Sequence, residues 1–166
     1  MDALIVVHTE IGYLDPEDMG SKRVEKNRQL FDGIAGVVGE YLRQGHKAYY
    51  LAEASDSPQS PSIYPAIRQH FPTMTFIPYD NTFEEQGLRI KERLREDDPD
   101  ASYLVGVSYS ECLKQLHSLL TGNTRKLRRS EFEDAYQRLG WAESKFERLF
   151  PQRMNAVIKE ELTDKV

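Results

Sequence analysis

His8 and Glu10 stand two residues apart just after the first apolar run of the chain, and Cys112 stands just after the fourth. A cysteine in the first turn of a helix is a candidate nucleophile, because unpaired backbone N–H groups and the helix dipole favour its thiolate. His8 is the expected base for that thiol, with Glu10 or Asp80 orienting the imidazole. Backbone N–H groups near Glu111 and Cys112 would hold an oxyanion. Tyr13, Tyr79, Ser108, Tyr109 and Glu111 are the expected substrate contacts, and Glu53 and Asp56 follow the second apolar run. His8, Glu10, Asp56 and Cys112 are also metal-ligand types. No H-E-x-x-H or C-x-x-C pair accompanies them, so neither a metal nor a cofactor is expected. The competing expectation makes Cys112 a buried small hydrophobe and His8 an unrelated polar residue.

Four strand–helix repeats must position these groups. Ala3 to Val7 is a continuous apolar run, as in a strand covered on both faces. Leu30, Ile34, Val37, Val38 and Tyr41 then recur at helical spacing up to Gly45, a C-terminal glycine cap. Gly33, Gly36 and Gly39 line one side of this helix, as close packing on a sheet would require. Lys47 to Ala52 reads as strand two, followed by a Ser/Pro-rich loop long enough to cover a site. Ile63 to Phe71 reads as a short helix and Thr73 to Pro78 as strand three. A Thr82/Glu85 capping box starts a helix through Leu94. Ser102 to Val107 reads as strand four, with Ser108 or Ser110 capping a helix to about Leu120. Alternating strands and helices predict a three-layer α/β/α fold with a mainly parallel, Rossmann-like sheet. In such a sheet ligands bind beyond the carboxyl ends of the strands, where the groups named above lie.

The pattern changes after Gly122. The expected division is an α/β domain over 1–124 and a charged helical C-terminal extension over 125–166, packed on that domain or on a partner subunit. Ser130 and Glu133 suggest a second capping box. Phe132, Tyr136, Leu139, Phe146, Leu149 and Phe150 follow at helical spacing, and Met154, Val157, Ile158 and Leu162 read as one face of a last helix, with no fifth strand.

The segment YLVGVSYSEC resembles the G-V-x-T-x-x-C stretch that carries the nucleophile of isochorismatase-like cysteine hydrolases, with Gly106, Val107 and Cys112 matching in spacing. ALIVVHTEIGYLDP is similar to the family's opening, and NTFEEQGL to the segment after its third strand. The likeness covers about residues 3 to 120. It implies a cysteine hydrolase of a small amide or ester, or an inactive relative that binds a ligand or a protein. His8 stands where the family has its aspartate, and Pro78 where it has its lysine.

Composition narrows the partners. Residues 1–124 carry 12 basic and 19 acidic side chains, a net of −7, and residues 125–166 carry 10 and 8, a net of +2, which sum to the −5 of the whole chain of 166 residues. A body of net negative charge repels phosphate, so nucleic acid is not expected as a partner. VVHTEIGYL holds one glycine where a nucleotide-binding loop needs several. With one cysteine, no apolar run of membrane-spanning length and an acidic residue at position 2, the chain reads as cytoplasmic and without membrane contact. A small-molecule substrate or ligand and a homo-oligomer, formed through the C-terminal aromatics, complete the expectation.

Overall fold

The protein is described by a computed structural model covering residues 1–54 and 56–165. Five strands form one sheet: β1 Ala3–Val7, β2 Lys47–Leu51, β3 Thr75–Ile77, β4 Ser102–Gly106 and β5 Ala156–Thr163. They pair in parallel in the order β3-β2-β1-β4-β5. Helices cover both faces, giving the three-layer α/β fold that the alternation of elements predicts.

The period of two along each strand assigns the two cores. Leu4, Val6, Tyr50 and Val105 face α2 (Ser21–Arg43) and α3 (Pro65–Arg68), meeting Ile34, Val38 and Ile67. Ala3, Ile5, Val7, Leu51 and Leu104 face α4 (Phe83–Asp97) and α5 (Lys114–Leu120), meeting Ile90, Leu94, Leu116 and Leu120. One further turn, α1 (Pro16–Met19), follows a 3₁₀ turn over Ile11–Leu14 and is capped by the Asp15 side chain, which accepts from the Glu17 N–H at 3.0 Å. Helix α2 ends as Gly45 predicts: the Gly45 N–H bonds the Leu42 carbonyl and the His46 N–H bonds that of Tyr41.

The chain steps outward from β1 to β2 to β3, then returns across the sheet to lay β4 on the other side of β1. The direction of winding therefore reverses between β1 and β4, and folds of this kind bind ligands at the carboxyl ends beside such a reversal. Gly106 closes β4 against β1. A Cβ at this residue would lie 2.1 Å from the Val7 carbonyl oxygen, and its φ of 114° is one that other residues rarely adopt.

Several local expectations give way. A fifth strand exists: Ala156–Thr163 pairs with β4 where a helix is predicted. Only the Thr82 half of the capping box that starts α4 forms, accepting from the Glu85 N–H at 3.2 Å, because the Glu85 carboxylate is taken by Arg138. Ser130 lies inside α6 (Arg129–Arg138) and caps nothing. Of the α2 glycines, only Gly33 packs on the sheet, against Leu162 of β5; Gly39 faces His70 and Gly36 faces open space. Helices α6 and α7 (Glu143–Leu149) lie outside α4 and α5, around a satellite core of Leu88, Leu119, Phe132, Phe146 and Phe150. Phe132, Phe146 and Phe150 of the C-terminal segment are thus buried within the chain, with Tyr136 and Trp141 partly buried against them.

Candidate active site

The register sets the site. Val7 pairs with both Leu51 and Gly106, so β1, β2 and β4 end level and release their loops at the same edge of the sheet. His8 leaves β1 in the left-handed conformation, φ 52°, and Ala54 leaves β2 in the same region, φ 51°. Such conformations cost non-glycine residues about 1 kcal/mol or more, and here the surrounding contacts hold them. Beyond His8 the chain forms an isolated antiparallel bridge, Glu10 to Ile63, with the Ile11 N–H donating to the Ser62 carbonyl at 2.7 Å and the Tyr64 N–H to that of Thr9 at 3.0 Å. The loop after β2 is thereby stitched over the end of β1, and Glu10 is fixed beneath it.

Within this frame the Glu53 N–H donates to Glu10 Oε1 at 2.8 Å, and the Tyr13 hydroxyl lies 3.5 Å from Glu53 Oε1. Asn27 of α2 holds the Tyr13 carbonyl at 2.8 Å. One donor atom each from His8, Glu10 and Glu53 lies within 4.8 Å of the other two. His8 and Glu10 are only 5 % and 6 % exposed. His8 Nδ1 and Glu10 Oε2 have no hydrogen-bond partner among the described residues. Burial holds the imidazole neutral by pulling its pKa down to about 4. Burial pushes the Glu10 carboxyl up to about 8; the Glu53 amide and the Tyr50 hydroxyl oppose this and the Glu53 and Asp56 charges add to it. Glu53 and Tyr13 are also raised, first by burial and then by neighbouring negative charge.

Cys112 lies in a π-helical turn, Tyr109–Leu113, which runs on into α5. It is partly buried and packs against the core. Its thiol is raised, chiefly by burial and then by the charges of Glu111 and Glu53, while backbone N–H groups pull the other way. The depressed cysteine expected of a helix start is therefore absent, because burial and two carboxylates outweigh the backbone donors. His8 exchanges no hydrogen bond with Cys112, and its ring lies 5.9 Å from that of Phe83.

Glu10, Glu53 and Tyr13 are thus linked by hydrogen bonds, and the charge of Glu53 reaches Cys112. Asp80 is exposed and paired with Arg89 at 2.7 Å. Tyr79 is half-buried on the same loop, and Ser108 and Ser110 face each other across 3.4 Å. Glu111 is exposed beside Cys112, on which its charge acts. Tyr109 is drawn to β5: its N–H donates to Asp164 at 2.7 Å and its hydroxyl to Glu160 at 2.9 Å. Asp56 is held by the Ser62 hydroxyl at 2.7 Å, and Ser55 of the same loop lies outside the described residues.

Two groups were not among the expected site residues. Glu53 follows strand two directly, and level strand ends are the signal that pairs it with Glu10. Gln86 spans β2 and β3 from α4, donating to the Ala52 and Ile77 carbonyls at 2.8 and 3.0 Å with its Oε1 buried and unpartnered. Nothing in its sequence neighbourhood announces this.

No family model, curated protein or solved structure matches this chain. The likeness to isochorismatase-like hydrolases rests on the motif residues alone.

Proposed function

We propose that this protein is a cysteine hydrolase of a small amide or ester, with Cys112 as nucleophile. The observation that carries this reading is the place of Cys112, at the strand ends where the winding of the sheet reverses and such folds bind ligands, within electrostatic reach of the hydrogen-bonded Glu53 and Tyr13. Motif similarity around Gly106, Val107 and Cys112 points to the same chemistry.

In this reading Glu53 is the proton acceptor, since its charge, with that of Glu111, reaches Cys112 whereas His8 has no hydrogen bond to the thiol. In this mechanism Cys112 Sγ bonds to the substrate carbonyl carbon as its proton passes to the Glu53 carboxylate. N–H groups of the first turn around Glu111 and Cys112 receive the oxyanion. Collapse breaks the bond to the leaving amine or alcohol, which takes the proton from Glu53, and water then hydrolyses the thioester.

The test is a screen of small amides and esters with wild type, Cys112→Ala and Glu53→Gln. Turnover should vanish in Cys112→Ala and fall by about 10² or more in Glu53→Gln. Alkylation of Cys112 should be faster in Glu53→Gln, because removing the neighbouring negative charge lowers the thiol pKa. Turnover that persists in Cys112→Ala rules the mechanism out. A second reading, a non-catalytic ligand-binding module, is favoured by one observation, the thiol held protonated by burial. It predicts that no substrate is turned over by any of the three proteins.

A further inference from the structure

We infer that His8, Glu10 and Glu53 form a binding site for a divalent transition-metal ion, at the strand ends that also carry Cys112. Three observations lead there. The first is convergence: three donor atoms from two loops lie within 4.8 Å of one another. Ligands of a tetrahedral zinc ion stand about 3.4 Å apart, from bond lengths of about 2.1 Å, so small side-chain rotations close the remaining gap.

The second is the state of the donors. His8 and Glu10 are each more than nine-tenths buried, yet among the described residues His8 Nδ1 and Glu10 Oε2 have no hydrogen-bond partner, the Tyr50 hydroxyl being the group that acts on the Glu10 carboxyl through a hydrogen bond besides the Glu53 amide. An unmade hydrogen bond to a buried polar atom costs about 1–3 kcal/mol, and more for a charged group. Two such orphans within one cluster mark a place where something else binds.

The third is charge. Glu10 and Glu53 lie close to each other and to Asp56, and the groups acting on Glu10 and Glu53 include no lysine or arginine. A divalent ion balances the two carboxylates. One nitrogen and two oxygen donors suit Zn²⁺ or Mn²⁺, whereas Mg²⁺ and Ca²⁺ prefer oxygen alone and more of it.

Three protein ligands leave coordination positions open, as in catalytic rather than structural zinc sites. An ion there would polarise the carbonyl that Cys112 attacks; this last step rests on the hydrolase reading, while the ion site itself does not.

Calorimetric titration of Zn²⁺ and of Mn²⁺ into the chelator-stripped full chain tests the site, with Mg²⁺ as control. One ion per chain is expected, with affinity falling more than about tenfold in each of His8→Asn, Glu10→Gln and Glu53→Gln. Asparagine tolerates the left-handed backbone at position 8, and glutamine preserves the shape of glutamate. Circular dichroism identifies any variant that fails to fold, and the visible spectrum of bound Co²⁺ reports the ligand set in those that do. Binding that is absent, or equal in wild type and all folded variants, overturns the inference. Cys112→Ala separates it from the hydrolase reading. Ion binding retained in Cys112→Ala, together with a wild type that turns over no substrate, supports the site and removes the hydrolase. Cys112-dependent turnover without ion binding does the reverse.

Discussion

Lys91 shows how a residue can be costly and structural at once. Its side chain is fully buried, and Nζ donates to the Leu119 carbonyl and, at 2.8 Å, to that of Phe150, tying the ends of α5 and α7 to α4. Burial pulls its pKa down to about 7, and a neutral amine still has two N–H groups for two carbonyls. A lysine with a folded pKa below its unfolded value of about 10.4 binds fewer protons folded than unfolded, so stability rises with pH across that interval by up to about 1.4 kcal/mol per unit. Denaturant melts between about pH 7 and 10 should show this rise in wild type and a flatter profile in Lys91→Met. An unchanged slope would mean that Lys91 stays charged in the fold. At this scale the sequence was uneven. Cys112, His8 and Glu10 were legible because strand ends are where such folds hold chemistry. The burial that raises the cysteine belonged to the competing expectation, and its extent comes from residues distant in the chain.

Elements were more legible than their ends. Four strands and the helices between them follow from apolar runs and helical spacing, and their burial agrees. The last strand was hidden by a bulge. Leu104 pairs with Ile158 but Gly106 pairs with Thr163, so β5 carries three extra residues between these points. An odd insertion swaps the faces: Ala156 and Ile158 join the core under α4 and α5, whereas Leu162 joins the core under α2. A period of two is thereby broken, and the spacing of Val157, Ile158 and Leu162 mimics a helix. The β5 edge carries Lys159, Glu160 and Glu161, charges that discourage pairing with another sheet. Helices α6 and α7 hold on through packing. The Phe146 ring lies 4.4 Å from that of Tyr136 and 5.0 Å from that of Phe150, fully buried. Phe146→Ala should therefore cost about 3–5 kcal/mol in chemical denaturation. A loss below about 1 kcal/mol would show that these helices contribute little to the fold.

Across the whole molecule, the site is assembled from β1, β2 and the turn after β4, so anything bound there joins segments a hundred residues apart. An ion on His8, Glu10 and Glu53 pins the loops after β1 and β2 in the folded state only. Adding Zn²⁺ to a hundredfold excess over its dissociation constant should stabilise the protein by about 2.7 kcal/mol, read as a rise in melting temperature. The rise should disappear in Glu10→Gln. Clefts of about 560 Å³ beside α2 and about 590 Å³ at the far end of α4 lie away from this cluster. Access to it is from the partly exposed side of Cys112, Glu53 and Tyr13.

The bond from the Tyr109 N–H to Asp164 spans 55 positions of the chain. Ribosomes add about 5–20 residues each second, so on a nascent chain the turn bearing Cys112 waits roughly 3–11 s for the partner that anchors it. During that interval its thiol is open to oxidants and to chaperones, and pulse-labelling of ribosome-bound chains would find it far more reactive than in the finished protein.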